Sequence, residues 1–317
     1  MISIIIASYN KGTYVLETIN SVNEQSFTNY ELIIIDDAST DNTRLILEDY
    51  RNHPKIIVLY NDHTKGANYC RNLGAKIAKG SYLLFLDADD LLDKDCLKRR
   101  WELTLKHPDH HLFVTAMGVF HKHPGDDTRL WVPNSSSPLR DFLLHKLPWS
   151  IMQPLWNRDF FERVGGFDES FNRLQDVELH TRACSLPDIK IIQSPIVDCY
   201  YRIDVNRINF DQQVFLDRWV DAAHQYCVKF AKPTSNIKFL YGTWLHAYLP
   251  TLLALRQGKI SKSQFELLQT KLNAIKRVLN CHPLVEILIR FYKFYNLRLP
   301  RIPGVNFLLT KLIVKLS

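Results

Sequence analysis

Met1-Ile2-Ser3-Ile4-Ile5-Ile6-Ala7-Ser8-Tyr9-Asn10 opens the chain, and its reading decides the fold. Ile2–Ala7 is apolar except for Ser3, the pattern of a strand buried on both faces. Thr13–Gln25 then carries Val15, Leu16, Ile19 and Val22 at helical spacing. The alternation continues with strands over Leu32–Ile35, Ile56–Tyr60 and Tyr82–Leu86 and helices over Thr43–Tyr50 and Tyr69–Lys79, the latter closed by Gly80. Strands alternating with helices imply parallel pairing in a layered α/β sheet. Ligands of such sheets bind outside the carboxyl ends of the strands, so the residues just after each strand carry the function.

Those ends are polar. Ser8-Tyr9-Asn10 follows the first strand, Asp36-Asp37-Ala38-Ser39-Thr40-Asp41 the second, and Asp87-Ala88-Asp89-Asp90 the fourth. Each cluster alone reads equally well as a turn or a helix cap, and Asp41 fits a cap for a helix starting near Asn42. Three at one sheet edge form a candidate site. Asp87 and Asp89 lie two apart at a strand end and so point the same way. Two such carboxylates can share a divalent cation, or one can bind it while the other holds a sugar hydroxyl. Mn²⁺ or Mg²⁺ suits these oxygen ligands when substrate phosphates complete the set. Of the adjacent Asp36 and Asp37 only one reaches a ligand, as acceptor for a base N–H, with Tyr9 as an apolar wall. Arg71 and Asn72 open the helix before the fourth strand and point toward the same pocket.

The chain has 317 residues, 46% hydrophobic and 23% charged, which suits about two soluble globular domains and excludes a collagenous or wholly disordered protein. Cysteines at 70, 96, 184, 199, 227 and 281 show no CxxC pair and no zinc spacing, so reduced, packed thiols in a cytoplasmic protein are expected. No basic leader precedes the first strand and no apolar run approaches a membrane span, the nearest being Trp244–Leu255 with Pro250 inside it. The net charge of +7 is uneven. Residues 255–317 carry 12 Lys+Arg against 2 Asp+Glu, and residues 1–254 carry 28 against 31. A mildly acidic body argues against a nucleic-acid face.

From His111 the pattern turns irregular. His111–Phe120, Ile189–Ile192 and Val197–Arg202 read as strands, Asp159–Val164 (ended by Gly165-Gly166) and Leu174–Ala183 as short helices, and nearly everything beyond Asp211 as helix.

The motifs together resemble the family 2 glycosyltransferases. The resemblance rests on Ile4–Asn10, Ser21-Val22, Gln25-Ser26-Phe27, Glu31–Asp41, Ala67-Asn68, Arg71-Asn72-Leu73-Gly74, Gly80-Ser81-Tyr82 and Asp87–Asp90. Gly165-Gly166-Phe167-Asp168-Glu169 and Gln175-Asp176-Val177-Glu178-Leu179 extend it to about residue 205. It implies an α/β GT-A nucleotide-diphospho-sugar transferase fold, with a Rossmann-like mixed sheet, over residues 1–210. Residues 1–110 form its nucleotide-sugar half and 111–210 its acceptor half, with a C-terminal helical extension over 211–317. The implied activity is inverting transfer of a single sugar from a nucleoside-diphosphate sugar, a UDP-sugar by preference. The implied acceptor is a glycan or lipid-linked saccharide in cell-surface polysaccharide or lipopolysaccharide synthesis. The resemblance assigns Ala7, Ser8, Tyr9, Asp37, Arg71, Asn72, Asp87 and Ala88 to the nucleotide-sugar. It makes Asp89 the metal ligand and Asp176 the catalytic base. Asp176 begins a short helix, whose dipole is expected to hold the carboxylate ionised.

Two positions depart from the family. Gln175-Asp176 stands where Glu-Asp is frequent, which leaves the first residue's role open, and Asp204 lies near the place of a frequent histidine after Tyr201-Arg202. No processive-synthase Gln/Arg-x-x-Arg-Trp sequence is present. Trp149, Gln153 and Trp156 read as an acceptor platform or, equally, as core. Residues 283–317 interleave Arg290, Lys293, Arg298, Arg301, Lys311 and Lys315 with aliphatic and aromatic residues. That pattern suits docking on an anionic membrane surface from the cytoplasmic side, or a helical cap with a solvated basic face. Two other functions use similar residues. A sugar-nucleotide pyrophosphorylase wants a Gly-rich, Arg-bearing loop after the first strand, which Ser8–Gly12 lacks. A non-catalytic nucleotide-sugar-binding protein would lack the Asp-x-Asp or the base, and both are present.

Overall fold

In a computed structural model of the chain the described residues are 1–203, 211–232, 234–280, 283–298, 308–309 and 311–312. Asp204, and with it any role near the frequent histidine of the family, lies outside them, as do Arg301 and Lys315.

The first half alternates β1 (Ile2–Ser8), α1 (Val15–Asn23), β2 (Tyr30–Asp36), α2 (Thr43–Glu48), β3 (Ile56–Tyr60), α3 (Ala67–Ile77) and β4 (Tyr82–Asp87). Next come β5 (Leu91–Leu92), α4 (Cys96–Lys106), β6 (Leu112–Phe120), β7 (Leu130–Trp131), α5 (Pro138–Leu143), β8 (Pro154–Asn157), α6 (Arg158–Val164), α7 (Gln175–Cys184) and β9 (Ile191–Arg202). The helices α8 (Gln212–Phe230), α9 (Ile237–Arg256), α10 (Lys262–Val278) and α11 (Pro283–Arg298) follow.

One mixed sheet runs β3-β2-β1-β4-β8-β6-β9-β5, with β7 beside β6. β1 to β4 pair in parallel, as the alternating pattern predicts, and β8 lies antiparallel between β4 and β6. Ile4, Ile5 and Ile6 of β1 and Ile33, Ile34 and Ile35 of β2 are completely buried, so both faces of these strands are covered, with α3 packed on β1 and β2. The chain runs from β1 outward to β3 and then returns to place β4 on the other side of β1. The strand order therefore reverses between β1 and β4, the place where such sheets take their ligands. In the register Ala7 faces Asp87 of β4, and Ser8 faces Asp36 of β2.

Gly80 differs from its expected role. Helix α3 ends at Ile77, and its C-cap is Ala78 in an extended conformation. Gly80 instead lies so close to β1 that a Cβ would come within 2.6 Å of Ser3 Oγ and 2.7 Å of Ser3 N. Its N–H donates to Ser3 Oγ at 2.8 Å, and Ser3 in turn donates to Glu31 at 2.6 Å. A close backbone approach, rather than a helix stop, requires glycine here.

The chain forms two compact units. Met1–Ser136 and Pro148–Asn206 make one, which holds the whole sheet. Ser137–Leu147, with α5, joins Arg207–Ser317 in the other. In this second unit Asp211 caps α8 by accepting from the N–H groups of Gln213 and Val214, and Thr243 Oγ1 of α9 donates to Leu143 O at 2.9 Å. Trp244 of α9 donates to Leu272 O of α10 at 3.0 Å. Among the described residues no helix is long and apolar enough to cross a membrane.

Candidate active site

The polar carboxyl ends of β1, β2 and β4 meet at the reversal point. The loop after β1 is tied to the loop after β2. Asn10, at φ 51°, donates from its N–H to Ser39 Oγ at 2.9 Å and accepts from Thr40 N–H at 2.8 Å. Lys11 N–H donates to Thr43 Oγ1 and Gly12 N–H to Asp41. These bonds fix the backbone on either side of Tyr9, which is 48% exposed. Ser8 Oγ is buried with no partner among the described residues.

Asp36 and Asp37 divide as their opposite directions predict. Asp36 is fully buried, accepts from Ser39 N–H at 3.1 Å and pairs with Arg44 at 3.2 Å. Asp37 accepts from Asn61 Nδ2 at 2.8 Å, Lys65 N–H at 2.8 Å and Gly66 N–H at 2.9 Å. Burial pushes its carboxyl up, but these bonds outweigh burial and leave it below the ordinary value. Asp37 thus organises the loop before α3, with the Cys70 thiol as a further donor to its carboxylate.

Arg71 is the hub of the site. It projects from α3, is 6% exposed, and donates to Asp87 Oδ1 at 2.8 Å, Gln175 Oε1 at 2.9 Å and Asn68 Oδ1 at 3.3 Å. The Phe167 ring lies beneath its guanidinium, with the centroid 5.4 Å away. Asp176 is the second residue of α7 and is half-buried. Burial raises its pKa; the Val177 N–H and the Arg71 charge oppose this, and the Asp87 charge adds to it. Desolvation of the carboxylate is the larger influence on its pKa, ahead of the Val177 N–H at the helix start. Arg71, Asp87 and Asp176 come from α3, β4 and α7 and act electrostatically on one another.

Asp89 pairs with Lys11 Nζ across the mouth between the β1 and β4 loops. Ala88 is buried beneath it. Asp90 is 1% exposed, with Oδ1 held by Arg202 N–H at 2.8 Å and Oδ2 unpartnered among the described residues. Burial and the nearby Asp87 and Asp89 charges push its carboxyl well up. Arg202, the last residue of β9, also donates to Asp89 O at 2.8 Å and to Glu17 at 2.6 Å, and lies between the Tyr14 and Phe120 rings. The donor set is of hard oxygens, which fits Mn²⁺ or Mg²⁺. Among the described residues no group of three His, Cys, Asp or Glu side chains encloses a metal. A cation at Asp89 would need substrate phosphate oxygens to complete its shell.

Some expected residues have other work. Asn72 donates to Phe167 O and Glu169 Oε1, both at 2.9 Å, and accepts from Phe167 N–H at 2.8 Å. Its two N–H groups clamp the 165–169 loop onto α3 and are not free for a nucleotide. Trp149, Gln153 and Trp156 are completely buried. Trp156 belongs to β8 inside the sheet, stacked on His180, and Gln153 ties Thr115 O to Trp131 O at 2.8 and 3.0 Å. No face of these rings reaches a sugar, so the platform reading gives way to the core reading. Lys11, Asn68, Asp90 and Arg202 received no role from the sequence. Asp90 and Asn68 lay within the quoted motifs, and Arg202 closes its strand with a cation.

The profile described as Glycosyl transferase family 2 matches residues 3–167, over half of the chain. The putative teichuronic acid biosynthesis glycosyltransferase TuaG of Bacillus subtilis is 40% identical over 107 residues, 33% of this chain and 42% of TuaG. The chain thus matches less than half the length of that relative. Residues 1–349 of Staphylococcus aureus TarS, solved in complex with UDP, superpose with a TM-score of 0.59 at 18% identity, covering 96% of this chain and 94% of that one. The mannosyltransferase PcManGT of Pyrobaculum calidifontis, solved with GDP-Man and Mn²⁺, gives a TM-score of 0.53 at 18% identity, over 93% of this chain and 83% of that one.

Proposed function

This chain belongs to glycosyl transferase family 2, and from that premise we propose that it moves one sugar, with inversion, from a UDP-sugar to a saccharide or lipid-linked acceptor of the cell surface. The observation that carries this reading is the convergence of Arg71, Asp87 and Asp176 beside the reversal point of the sheet. Tyr9 offers an exposed ring to the base, with Asp37 beside it as an acceptor for its N–H. Ala7, Ser8 and Ala88 supply backbone close to the donor, and Arg71 with Asp87 orients the sugar and diphosphate. Asp176 takes the proton from the acceptor hydroxyl, on the side opposite the leaving group. Its raised pKa brings it nearer the operating range of a base than an exposed carboxylate. Asp89 would hold Mn²⁺ or Mg²⁺, which offsets negative charge on the leaving diphosphate.

A thermal-shift experiment tests the donor reading. UDP with Mn²⁺ at about a hundred-fold excess over Kd should stabilise the protein by about 2.7 kcal/mol. Asp89→Asn should lose the Mn²⁺-dependent part and keep its melting temperature without ligand. No stabilisation of the native protein by any nucleotide would refute the donor reading.

The second unit supports docking at an anionic membrane surface. Ile287, Phe291 and Phe294 of α11, spaced as one helix stripe, are 62, 48 and 52% exposed, while Tyr292 and Tyr295 pack inward. Arg290 is exposed beside the stripe, and the net charge over residues 255–317 is strongly positive. Such a face suits a bilayer interface carrying anionic lipid. The Phe291→Ser, Phe294→Ser double variant should no longer sediment with phosphatidylglycerol vesicles that bring down the native protein. Equal sedimentation of the two would exclude this face.

A further inference from the structure

Gln175 occupies the position where an acidic residue is frequent in the family, and its side chain has a defined partner. Its Oε1 accepts from Arg71 Nη1 at 2.9 Å, while Arg71 Nη2 donates to Asp87 at 2.8 Å. Gln175 is the first residue of α7 and Asp176 the second, so the contact fixes the guanidinium beside the start of that helix. We propose that Gln175 is a positioning residue that sets the charge balance around the Asp176 base. Its neutral amide accepts from Arg71, which also donates to Asp87, without bringing a further carboxylate beside the base. The inference rests on the reading of Asp176 as base.

The charges that face Asp176 define the balance. Arg71 of α3 and Asp87 of β4 act on it electrostatically. On its own helix Glu178 is fully buried and paired with Arg182 at 2.7 Å, and is thereby neutralised. With Gln175, the Arg71 cation and the Asp87 carboxylate act on the base. With glutamate there, two carboxylates would share Arg71, and a like charge would sit next to Asp176 in the chain. Neighbouring negative charge disfavours ionisation, and a divided guanidinium opposes it less. The amide therefore lets the base ionise at lower pH than an acid at 175 would.

The test is the pH dependence of donor turnover, with water or acceptor, in the native protein, Gln175→Glu, Gln175→Met and Asp176→Asn. Gln175→Glu should move the acid limb upward by about 1 pH unit and reach the native plateau at alkaline pH. A misfolded or merely loosened site would not recover on raising pH. Gln175→Met keeps the charge but removes the acceptor for Arg71. Its limb should stay in place while the donor KM rises several-fold. An acid limb of Gln175→Glu that is unmoved or moves down overturns the inference, as does a Gln175→Met limb that moves as far as that of the glutamate variant. Asp176→Asn separates the premise from the inference. A native plateau in that variant removes the base reading itself, whereas its loss of turnover together with an unmoved Gln175→Glu limb sinks only the role of Gln175.

Discussion

Replacing Asp176 by asparagine is expected to lower sugar transfer about 10²–10⁴-fold, the usual contribution of a positioned general base, with UDP affinity unchanged. The substitution keeps the shape at the start of α7 and removes only the ability to accept a proton. UDP binding should survive because the hydrogen bonds of Arg71 to Asp87 and Gln175 do not involve Asp176. The native protein should carry a matching pH signature. Burial raises the Asp176 pKa, so turnover should be lost at a pH above that expected for an exposed aspartate. As pH falls through this raised pKa the rate should drop in proportion to the ionised fraction. In Asp176→Asn that acid limb should disappear from the residual rate. A limb that persists unchanged would assign it to another group.

Asp198→Ala is expected to destabilise the sheet-bearing unit by about 3–5 kcal/mol, the cost of leaving a buried charge without its partner. Arg100 of α4 and Asp198 of β9 are both completely buried. Their pairing is bidentate, with Nε to Oδ2 at 3.0 Å and Nη2 to Oδ1 at 2.7 Å. Thr115 Oγ1 donates to the same carboxylate at 2.7 Å, and Arg100 Nη1 donates to Met152 O at 2.8 Å. One ion pair thus fastens α4, β6 and β9 to the segment before β8, four residues upstream of Arg202 and the Asp89–Asp90 loop that it holds. Urea unfolding of the variant gives the value. The pair Arg100→Leu with Asp198→Leu should lose less than the sum of the single losses, because neither charge is then stranded. A loss below about 1 kcal/mol for Asp198→Ala would contradict the account of this pair.

The parallel part of the fold was legible because its signals are local. A strand buried on both faces writes an unbroken apolar run, as in Ile4-Ile5-Ile6 and Leu32–Ile35, and strand ends at a ligand site write polar clusters. The antiparallel part was not. β8 is four residues long, begins with proline and carries no period, yet it lies between β4 and β6. Its place in the sheet is what buries Trp156, and an aromatic residue in the sequence looks the same whether it faces a sugar or a core. Asn72 misled for a related reason. The helix position was right, but its amide is taken by a loop 95 to 97 residues away. Arg100 and Asp198 lie 98 residues apart, and nothing local marks either as a partner. For Asp176 the start of α7 was legible, whereas the desolvation that raises its pKa depends on everything packed around the residue.

We propose that Arg71, Asp87 and Asp176 form a nucleotide-sugar transfer site in which the donor is bound by one set of residues and the proton taken by another. The most direct measurement follows UDP release from a panel of UDP-sugars, with Mn²⁺, by the native protein and Asp176→Asn, with UDP affinity determined by calorimetry on both. Release by the native protein from at least one donor, its loss in Asp176→Asn, and equal UDP affinity in the two proteins are expected. Undiminished release by Asp176→Asn, or UDP binding lost together with release, would contradict the proposal.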